Sequence, residues 1–205
     1  MNIPTIVLTS SGSDRSAIFH KHLSQAGIEH YSVFSGINGA KSGLKASIPY
    51  EIDNPGSGYL IPAKHVGCTL SHLMIWKALH FAEQWSDHYD YYMIVEDDVI
   101  FRASWRERVE YAIKTVPKDW DLIYPGSCCS NGRRGKEVGD GLFEGVPLCT
   151  HCYIVRHKAL KTLIDTNEEI WAPIDLQIIF KSAPLLKSYI IFPRVADQYG
   201  TELHD

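Results

Sequence analysis

Short apolar runs alternate with amphipathic stretches along the first part of this chain. Residues 3–8 are apolar and β-branched and end in polar residues, which is typical of a buried strand followed by a loop. Apolar residues then recur at helical spacing over residues 16–26, and Gly27 is a plausible stop for that helix. Residues 29–34 form the next strand-like run. Strand, helix and strand at this spacing predict a βαβ unit and therefore an α/β sheet.

The middle of the chain combines a loop, a helix and a buried strand. Residues 36–62 are rich in Gly, Ser, Pro and Asn, which indicates a long surface loop. A helix is predicted over residues 68–85, and its apolar stripe consists of Leu70, Leu73, Met74, Ala78 and Phe81. Residues 91–95 are continuously apolar, as in a strand covered on both faces, and the run ends abruptly in Glu96-Asp97-Asp98.

The remaining pattern predicts short alternating elements. We expect helices at residues 104–115, at 157–164 and from Pro173, and strands at residues 121–124, 151–155 and 189–192. Residues 125–146 are predicted as a loop. No internal repeat or linker is present, so residues 1–205 are predicted to form one domain.

Composition and charge exclude several classes of function. The formal net charge of −4 gives no basic footprint for nucleic acid, and Arg133, Arg134 and Lys136 are better explained as a solvated loop than as a phosphate site. The apolar runs are far shorter than the roughly 20 residues of a membrane-spanning helix. The N-terminus leads directly into a strand, so we expect no secretion signal. Five cysteines, an odd number, then predict free thiols in a reducing, cytoplasmic setting.

Three consecutive carboxylates, Glu96, Asp97 and Asp98, are the strongest chemical signal. Each acid raises the cost of charging its neighbours, and partial burial adds to that cost. A divalent cation such as Mg²⁺ or Mn²⁺ would relieve the conflict at the end of a strand, where α/β sheets bind ligands. The alternative is a solvated turn in which Asp97 or Asp98 caps the next helix. The residues alone leave both interpretations open.

A second constellation lies in the predicted helix. Cys68, Ser71, His72 and Ile75 share one side of it, opposite the apolar stripe. His72 beside Ser71 could donate to a phosphate or a sugar hydroxyl, or it could be a packed helix residue. Adjacent Ser and His side chains on a helix point in different directions, so they do not form a nucleophile and base. A serine hydrolase is therefore excluded.

These two segments together resemble glycosyltransferase family 25, and in particular its lipooligosaccharide galactosyltransferases. The family shares a Gly-Cys-x-x-Ser-His helix, here residues 67–72, followed by a strand that ends in Glu-Asp-Asp, here residues 96–98. Weaker similarities follow in the family's order at residues 8–15, 36–39, 120–121, 153–160, 173–175 and 193–198.

The chain departs from the family pattern at three places. Asn38 replaces the usual acid, Lys64-His65 stands where Gly-Glu is common, and residues 149–152 read Cys-Thr-His-Cys where Gly-Thr is usual. These differences bear on the acceptor more than on the type of reaction.

The resemblance implies a GT-A fold, an α/β architecture with one Rossmann-like, mixed and mainly parallel sheet flanked by helices. It implies a nucleotide-binding part over about residues 1–125 and an acceptor-side part over about 126–205. It further implies that Mn²⁺ or Mg²⁺ is held by Asp98 and Asp97, while Glu96 or Asp97 holds ribose or a metal-bound water. The remaining residues expected to bind nucleotide or substrate are Thr9, Ser10, Arg15, Asn38, Ser71 and His72.

The implied reaction is inverting transfer of a hexose, foremost galactose, from a UDP-sugar to a surface glycan or lipooligosaccharide. Asp175 is the candidate base, with Glu144 as a weaker alternative. Asp175 could instead favour a helix dipole in the first turn after Pro173.

Other functions stay open. They are a transferase that uses another UDP-hexose, a catalytically inactive nucleotide- or glycan-binding domain, and a zinc site built from the cysteines at 128, 129, 149 and 152. For the last, structural thiols are favoured. Peripheral association with a membrane is also open.

Overall fold

An eight-stranded sheet runs through the centre of the protein. A computed structural model describes residues 3–10, 15–42, 60–82, 89–128 and 133–200. The strands, in chain order, are β1 (Thr5–Ser10), β2 (Ser32–Gly36), β3 (Tyr91–Glu96), β4 (Val99–Phe101), β5 (Leu122–Tyr124), β6 (Glu137–Gly139), β7 (Leu142–Glu144), β8 (Cys152–Arg156), β9 (Ser188–Ile191) and β10 (Ala196–Gln198). The large sheet has the order β2-β1-β3-β8-β5-β9-β7-β6, and β10 pairs with β4 in a second, two-stranded sheet.

The large sheet is mixed. β1 pairs in parallel with both β2 and β3, and β5 pairs in parallel with β9. β8 runs antiparallel to β3 and β5, and β7 runs antiparallel to β9 and β6. Six strands therefore run in one direction and two run against them.

Helices cover both faces of this sheet. They are α1 (Ser16–Gln25), α2 (Ala63–Ala82), α3 (Trp105–Thr115), α4 (Leu160–Asn167) and α5 (Ile174–Gln177). One core cluster joins residues of α1 and α3 to the sheet, and a second joins residues of α2, α4 and α5 to it. The expected α/β architecture, a Rossmann-like mixed sheet flanked by helices, is confirmed. Across the described ranges, no helix is both long and apolar enough to cross a bilayer.

The local predictions succeed where the pattern is long. The first βαβ unit is present, and Gly27 follows α1 with a φ of +69°, a backbone conformation that glycine adopts at little cost. Most of the loop predicted over residues 36–62 lies outside the described residues.

Two predictions are wrong. Residues 125–146 are not one loop, because they contain β6 and β7, whose three-residue length is too short for a periodic signal. The apolar stripe assigned to α2 is also wrong, since Met74 and Phe81 are exposed, whereas Ser71 and His72 are buried. These polar residues are buried because Ser71 Oγ donates to Gly67 O at 2.6 Å and His72 Nδ1 lies 3.0 Å from the Tyr153 hydroxyl.

Candidate active site

The carboxyl ends of β1 and β3 form one wall of a pocket. The two strands pair in parallel with Leu8 opposite Glu96, so the residues that follow them meet at one edge. The pocket has a volume of about 430 Å³. Eight residues predicted from the sequence line it, namely Thr9, Ser10, Arg15, Asn38, Ser71, Glu96, Asp97 and Asp98. The other lining residues are Leu8, Ile37, Gly39, Lys64, His65 and Cys68.

Arg15 lies against two of the acids. Its Nη1 is 3.3 Å from Asp97 Oδ1 and 3.0 Å from Asp98 Oδ2. The backbone N–H of Ser10 also donates to Asp97 Oδ2 at 3.3 Å. The side chains of Asp97 and Asp98 are only 8% and 14% exposed, whereas that of Arg15 is 51% exposed. The guanidinium of Arg15 therefore compensates the negative charge of the two buried acids from the solvent side.

Asp98 is the most crowded acid of the cluster. Its burial and the negative charge of Glu96 raise its pKa to about 6, although Arg15 opposes this shift. Oxygen Oδ1 of Asp98 is buried and has no hydrogen-bond partner among the described residues. A buried carboxylate oxygen without a donor is rare and costly. Together with the oxygens of Asp97, this oxygen fits a hard divalent cation such as Mn²⁺ or Mg²⁺.

Glu96 is held in its charged form. Thr150 Oγ1 donates to Glu96 Oε1 at 2.8 Å, and His72 Nε2 lies 3.4 Å from the same oxygen. Burial would raise the pKa of Glu96, but His72, Thr150 and the nearby His151 together bring that pKa below its usual value. The charge on Glu96 is one cause of the raised pKa of Asp98.

His72 supports Glu96 from below the pocket. Its side chain is completely buried and is not among the residues that line the pocket. Trp76 Nε1 donates to the Tyr153 hydroxyl at 2.8 Å, so that hydroxyl can donate its own proton to His72 Nδ1 at 3.0 Å. Nε2 then carries the ring proton and faces Glu96. At 3.4 Å this contact is long for a hydrogen bond and acts chiefly by electrostatics.

Ser71 holds the loop that carries Asn38. The backbone N–H of Ile37 donates to Ser71 Oγ at 2.8 Å, while Ser71 donates to Gly67 O. A Cβ on Gly67 would lie 2.6 Å from Gly39 N, so the close approach of this loop to α2 requires glycine. The Gly-x-x-x-Ser spacing in the sequence thus fixes one side of the pocket.

Asp175 lies in the first turn of α5 and is not among the residues that line the pocket. Its Oδ2 accepts a hydrogen bond from the backbone N–H of Cys149 at 3.0 Å, and its Oδ1 accepts from Leu176 N at 2.9 Å. Burial raises the pKa of the Cys68 thiol well above its usual value, and the charges of Glu96 and Asp175 add to this shift.

Glu144, the weaker candidate base, lies elsewhere. It lines a different cavity of about 680 Å³, together with Asp119, Lys187 and Tyr189. This larger cavity contains none of the consecutive acids 96–98.

The expectation of free thiols is wrong for two cysteines. Cys128 and Cys149 form a disulfide with a Cα–Cα distance of 5.6 Å. A single antiparallel bridge between Cys128 and Leu148 brings the two segments together, and this tertiary pairing leaves no signal in the sequence. Cys152 is a buried core thiol, as predicted, and Cys129 lies outside the described residues.

Sequence reasoning missed several groups of the site. Thr150, which binds Glu96, gave no signal of its own. Lys64 and His65 stood out only as a departure from a family pattern, yet both line the pocket. The atoms of Cys68, His72 and Glu96, and those of Cys128, Cys149 and His151, form two groups close enough to hold a metal ion.

Part of this chain is similar to a known human protein. A human relative, "Inactive glycosyltransferase 25 family member 3", is 36% identical over 97 residues, which are 46% of this chain but 15% of that protein. The matched part thus spans far less than two thirds of the relative.

Solved structures with a similar backbone arrangement have low sequence identity to this chain. A197 from STIV is 14% identical and has a TM-score of 0.48, with 92% of this chain and 81% of that chain covered. A glycosyltransferase involved in glycosylation of the major capsid of PBCV-1 is 11% identical with a TM-score of 0.47, and 91% and 81% are covered. The catalytic domain of Drosophila beta1,4galactosyltransferase 7 is 12% identical with a TM-score of 0.47, and 99% and 74% are covered.

The sequence model of Glycosyltransferase family 25 (LPS biosynthesis protein) matches residues 3–131, which include every residue of the pocket. The fold is thus of the GT-A type that this family implies, and the chain belongs to glycosyltransferase family 25.

Proposed function

We propose that this chain is an inverting glycosyltransferase that transfers a hexose, with galactose as the first donor to test, from a UDP-sugar to a glycan or lipooligosaccharide. Mn²⁺ or Mg²⁺ is the proposed cofactor. Membership of the family supports sugar transfer. The observation that carries the site is the pocket itself, which brings together eight residues chosen from the sequence. One of them is Asp98, whose buried Oδ1 has no hydrogen-bond partner among the described residues.

Asp98 and Asp97 are the proposed cation ligands. Their oxygens are hard donors, and those of Asp98 are crowded by neighbouring negative charge. When bound, the cation would supply positive charge that stabilises the leaving diphosphate.

The nucleotide would lie along the ends of β1 and β3. Thr9, Ser10 and Asn38 line this side of the pocket with polar groups. Arg15 is half exposed and already directs its guanidinium toward the acids, so it is placed to meet diphosphate oxygens. Glu96, kept charged by Thr150, is the proposed acceptor for ribose hydroxyls.

Ser71 and His72 are assigned as positioning residues. The Ser71 hydroxyl already bonds to Gly67 and to the loop at Ile37. His72 is completely buried behind Glu96. Each therefore acts through a neighbour rather than by touching the sugar.

Asp175 is the proposed base. An acceptor hydroxyl would attack the anomeric carbon as the bond from that carbon to the diphosphate oxygen breaks, and Asp175 would take the hydroxyl proton. Its two hydrogen bonds to backbone N–H groups fix the carboxylate and leave lone pairs for this proton. Glu144 lies in another cavity and is not proposed for this role.

We place the reaction at the cytoplasmic face of a membrane, with the protein associated peripherally. The support is the link of the family to LPS biosynthesis, which implies lipid-linked acceptors.

A second candidate is an inactive domain that binds nucleotide or glycan without transfer. The human relative, whose name describes it as inactive, supports this alternative. All three consecutive acids are present here, and binding alone would not require such a costly cluster.

The test is release of UDP from a panel of UDP-hexoses, with Mn²⁺ or with a chelator. We expect release to favour one sugar and to need the cation. Asp98→Asn should lower it by about 10³-fold, because charge stabilisation of this kind contributes several kcal/mol.

Asp140→Asn is the matched control, since the side chain of Asp140 is 90% exposed and lies outside the pocket. Equal activity of wild type and Asp98→Asn would remove Asp98 from the mechanism. Binding of UDP with Mn²⁺ but no release from any donor would favour the inactive binding domain.

A further inference from the structure

A second group of metal-ligand atoms lies beside the pocket. The sulfurs of Cys128 and Cys149 and one ring nitrogen of His151 lie within 4.8 Å of one another. Cys149 and His151 flank Thr150, which binds Glu96, and the backbone N–H of Cys149 binds Asp175. The group is therefore next to the proposed reaction centre but contains none of its carboxylates.

His151 is arranged as metal-binding histidines usually are. Its side chain is almost completely buried, and Nε2 lies 3.2 Å from the carbonyl oxygen of Ala196. Nε2 must carry the ring proton, because a carbonyl can only accept. Nδ1 then presents a lone pair, and it has no hydrogen-bond partner among the described residues. A ligating histidine typically donates its other N–H to a backbone carbonyl in this way.

The surroundings keep His151 neutral and leave room for it. Burial lowers the pKa of His151, although Glu96 opposes that shift, so the lone pair is available at neutral pH. A Cβ on Gly126 would overlap the His151 ring, so a side chain larger than hydrogen would displace it. Cys149 has a φ of +71°, a costly conformation for a residue other than glycine. Such strain is concentrated at functional sites.

We propose that Cys128, Cys149 and His151 form a zinc site when the Cys128–Cys149 disulfide is reduced. Two thiolates and a neutral imidazole are ligands that Zn²⁺ prefers, and three protein ligands leave one position open. In tetrahedral geometry the two sulfurs lie roughly 3.8 Å apart, so they would separate from their bonded distance when zinc binds. The disulfide and the zinc site are alternative states of the same two sulfurs.

The chemistry balances with a phosphine reductant. The phosphine supplies two electrons and becomes its oxide with an oxygen from water, the S–S bond breaks, and two thiols form with the two protons of that water. Binding of Zn²⁺ then releases both thiol protons. A reducing compartment, where disulfides are rare, would favour the zinc state.

The experiment measures Zn²⁺ bound to protein reduced with a phosphine, against a chromophoric chelator, and compares it with oxidised protein. We expect one Zn²⁺ per reduced chain and none at this site after oxidation. Cys149→Ser should weaken zinc binding more than about 100-fold, since even loss of a residue that only supports a ligand costs 10- to 100-fold. Cys149 is the better variant because Cys128 has a neighbouring cysteine, Cys129, that could replace it.

Cys68→Ser is the matched control. It removes a thiol from the other metal-ligand group and should leave zinc binding unchanged. Loss of binding in Cys68→Ser but not in Cys149→Ser would overturn the proposal, as would a reduced wild type that takes up no zinc.

A further measurement needs no variant. Bound Zn²⁺ should protect Cys128 and Cys149 from alkylation of the reduced protein, as mapped by mass spectrometry. Equal alkylation with and without Zn²⁺ would contradict the site even if the variants failed to fold. Because no UDP or sugar is present, the result is independent of the proposed transferase activity.

Discussion

Two clusters on the same side of the molecule differ in nearly every chemical property. The donor-side cluster of Asp97, Asp98 and Arg15 is built from oxygen ligands and a guanidinium. The second cluster, Cys128, Cys149 and His151, offers sulfur and nitrogen. Hard oxygens select Mn²⁺ or Mg²⁺, whereas thiolates and imidazole select zinc. One sheet edge thus presents two sets of ligand atoms that favour different ions.

The clusters also differ in the electrostatic free energy that the burial of their side chains costs. In the donor-side cluster, burial and the charge of Glu96 make it costly to ionise Asp98. In the other cluster, the sulfurs are joined in a disulfide and His151 is neutral, so no charge is buried. Binding of a charged diphosphate through a cation, as proposed, would require this electrostatic cost, whereas a disulfide does not.

Asp175, which binds the backbone of Cys149, gives the largest expected effect. Asp175→Asn should lower kcat by about 10²- to 10⁴-fold, because general base catalysis contributes that much. The single amide oxygen can still accept a hydrogen bond from Cys149 N, but the hydrogen bond from Leu176 N is then lost. Affinities for UDP and Mn²⁺ should not change. Steady-state kinetics and calorimetric titration of UDP measure the two effects separately.

Glu144→Gln is the control for this substitution, since Glu144 lines a separate cavity. A fall in UDP affinity in Asp175→Asn, with kcat preserved, would move Asp175 from the acceptor side to the donor side. A loss of activity in Glu144→Gln of similar size would make the larger cavity part of the reaction.

Arg15 gives the next prediction, which concerns the side of the pocket proposed to bind the donor nucleotide. Arg15→Ala should weaken UDP binding about 10- to 100-fold, because a charge-assisted hydrogen bond contributes up to about 3 kcal/mol. Arg15→Lys keeps the charge but loses the planar pair of N–H groups, so it should recover only part of the affinity. Zinc uptake by the reduced protein should be unchanged in both variants. Undiminished UDP affinity in Arg15→Ala would limit Arg15 to compensating the acids.

The donor side could be predicted from the sequence because its signals are local. The apolar run at residues 91–95 predicts a buried strand, and three acids at its end can only be explained by a ligand or a solvated turn. The close pairing of Leu8 with Glu96 then brings Ser10 beside Asp97. Residue types alone do not show which of the acids has an oxygen without a hydrogen-bond donor.

The pairing of Cys128 with Cys149 could not be predicted, because its contacts join distant parts of the chain. The bond between Cys128 and Cys149 depends on an isolated β-bridge to Leu148. The sequence pattern also favoured a helix face with Met74 in the core, whereas the structure buries His72 there. A buried polar side chain requires hydrogen-bond partners. The partner of His72 is Tyr153, which lies 81 positions further along the chain.

The smallest expected effect concerns Asp98 and the free energy of unfolding of the protein without metal. In a chelator at pH 7.5, Asp98→Asn should stabilise the fold by about 1 kcal/mol, because the amide avoids the charging cost but loses the ion pair with Arg15. The pKa of Asp98 is about 6 in the folded protein, against an ordinary value of 3.8 for an aspartate. As pH rises between these values the unfolded chain loses its proton first, so this acid makes wild type less stable with rising pH. The advantage of Asp98→Asn should therefore vanish near pH 4 and be complete above pH 6.

Urea unfolding at pH 4 and at pH 7.5 measures this difference in stability between Asp98→Asn and wild type. Addition of Mn²⁺ should make wild type the more stable of the two, because it stabilises wild type alone. A variant less stable than wild type in chelator at pH 7.5 would mean that the pair with Arg15 outweighs the crowding of the acids.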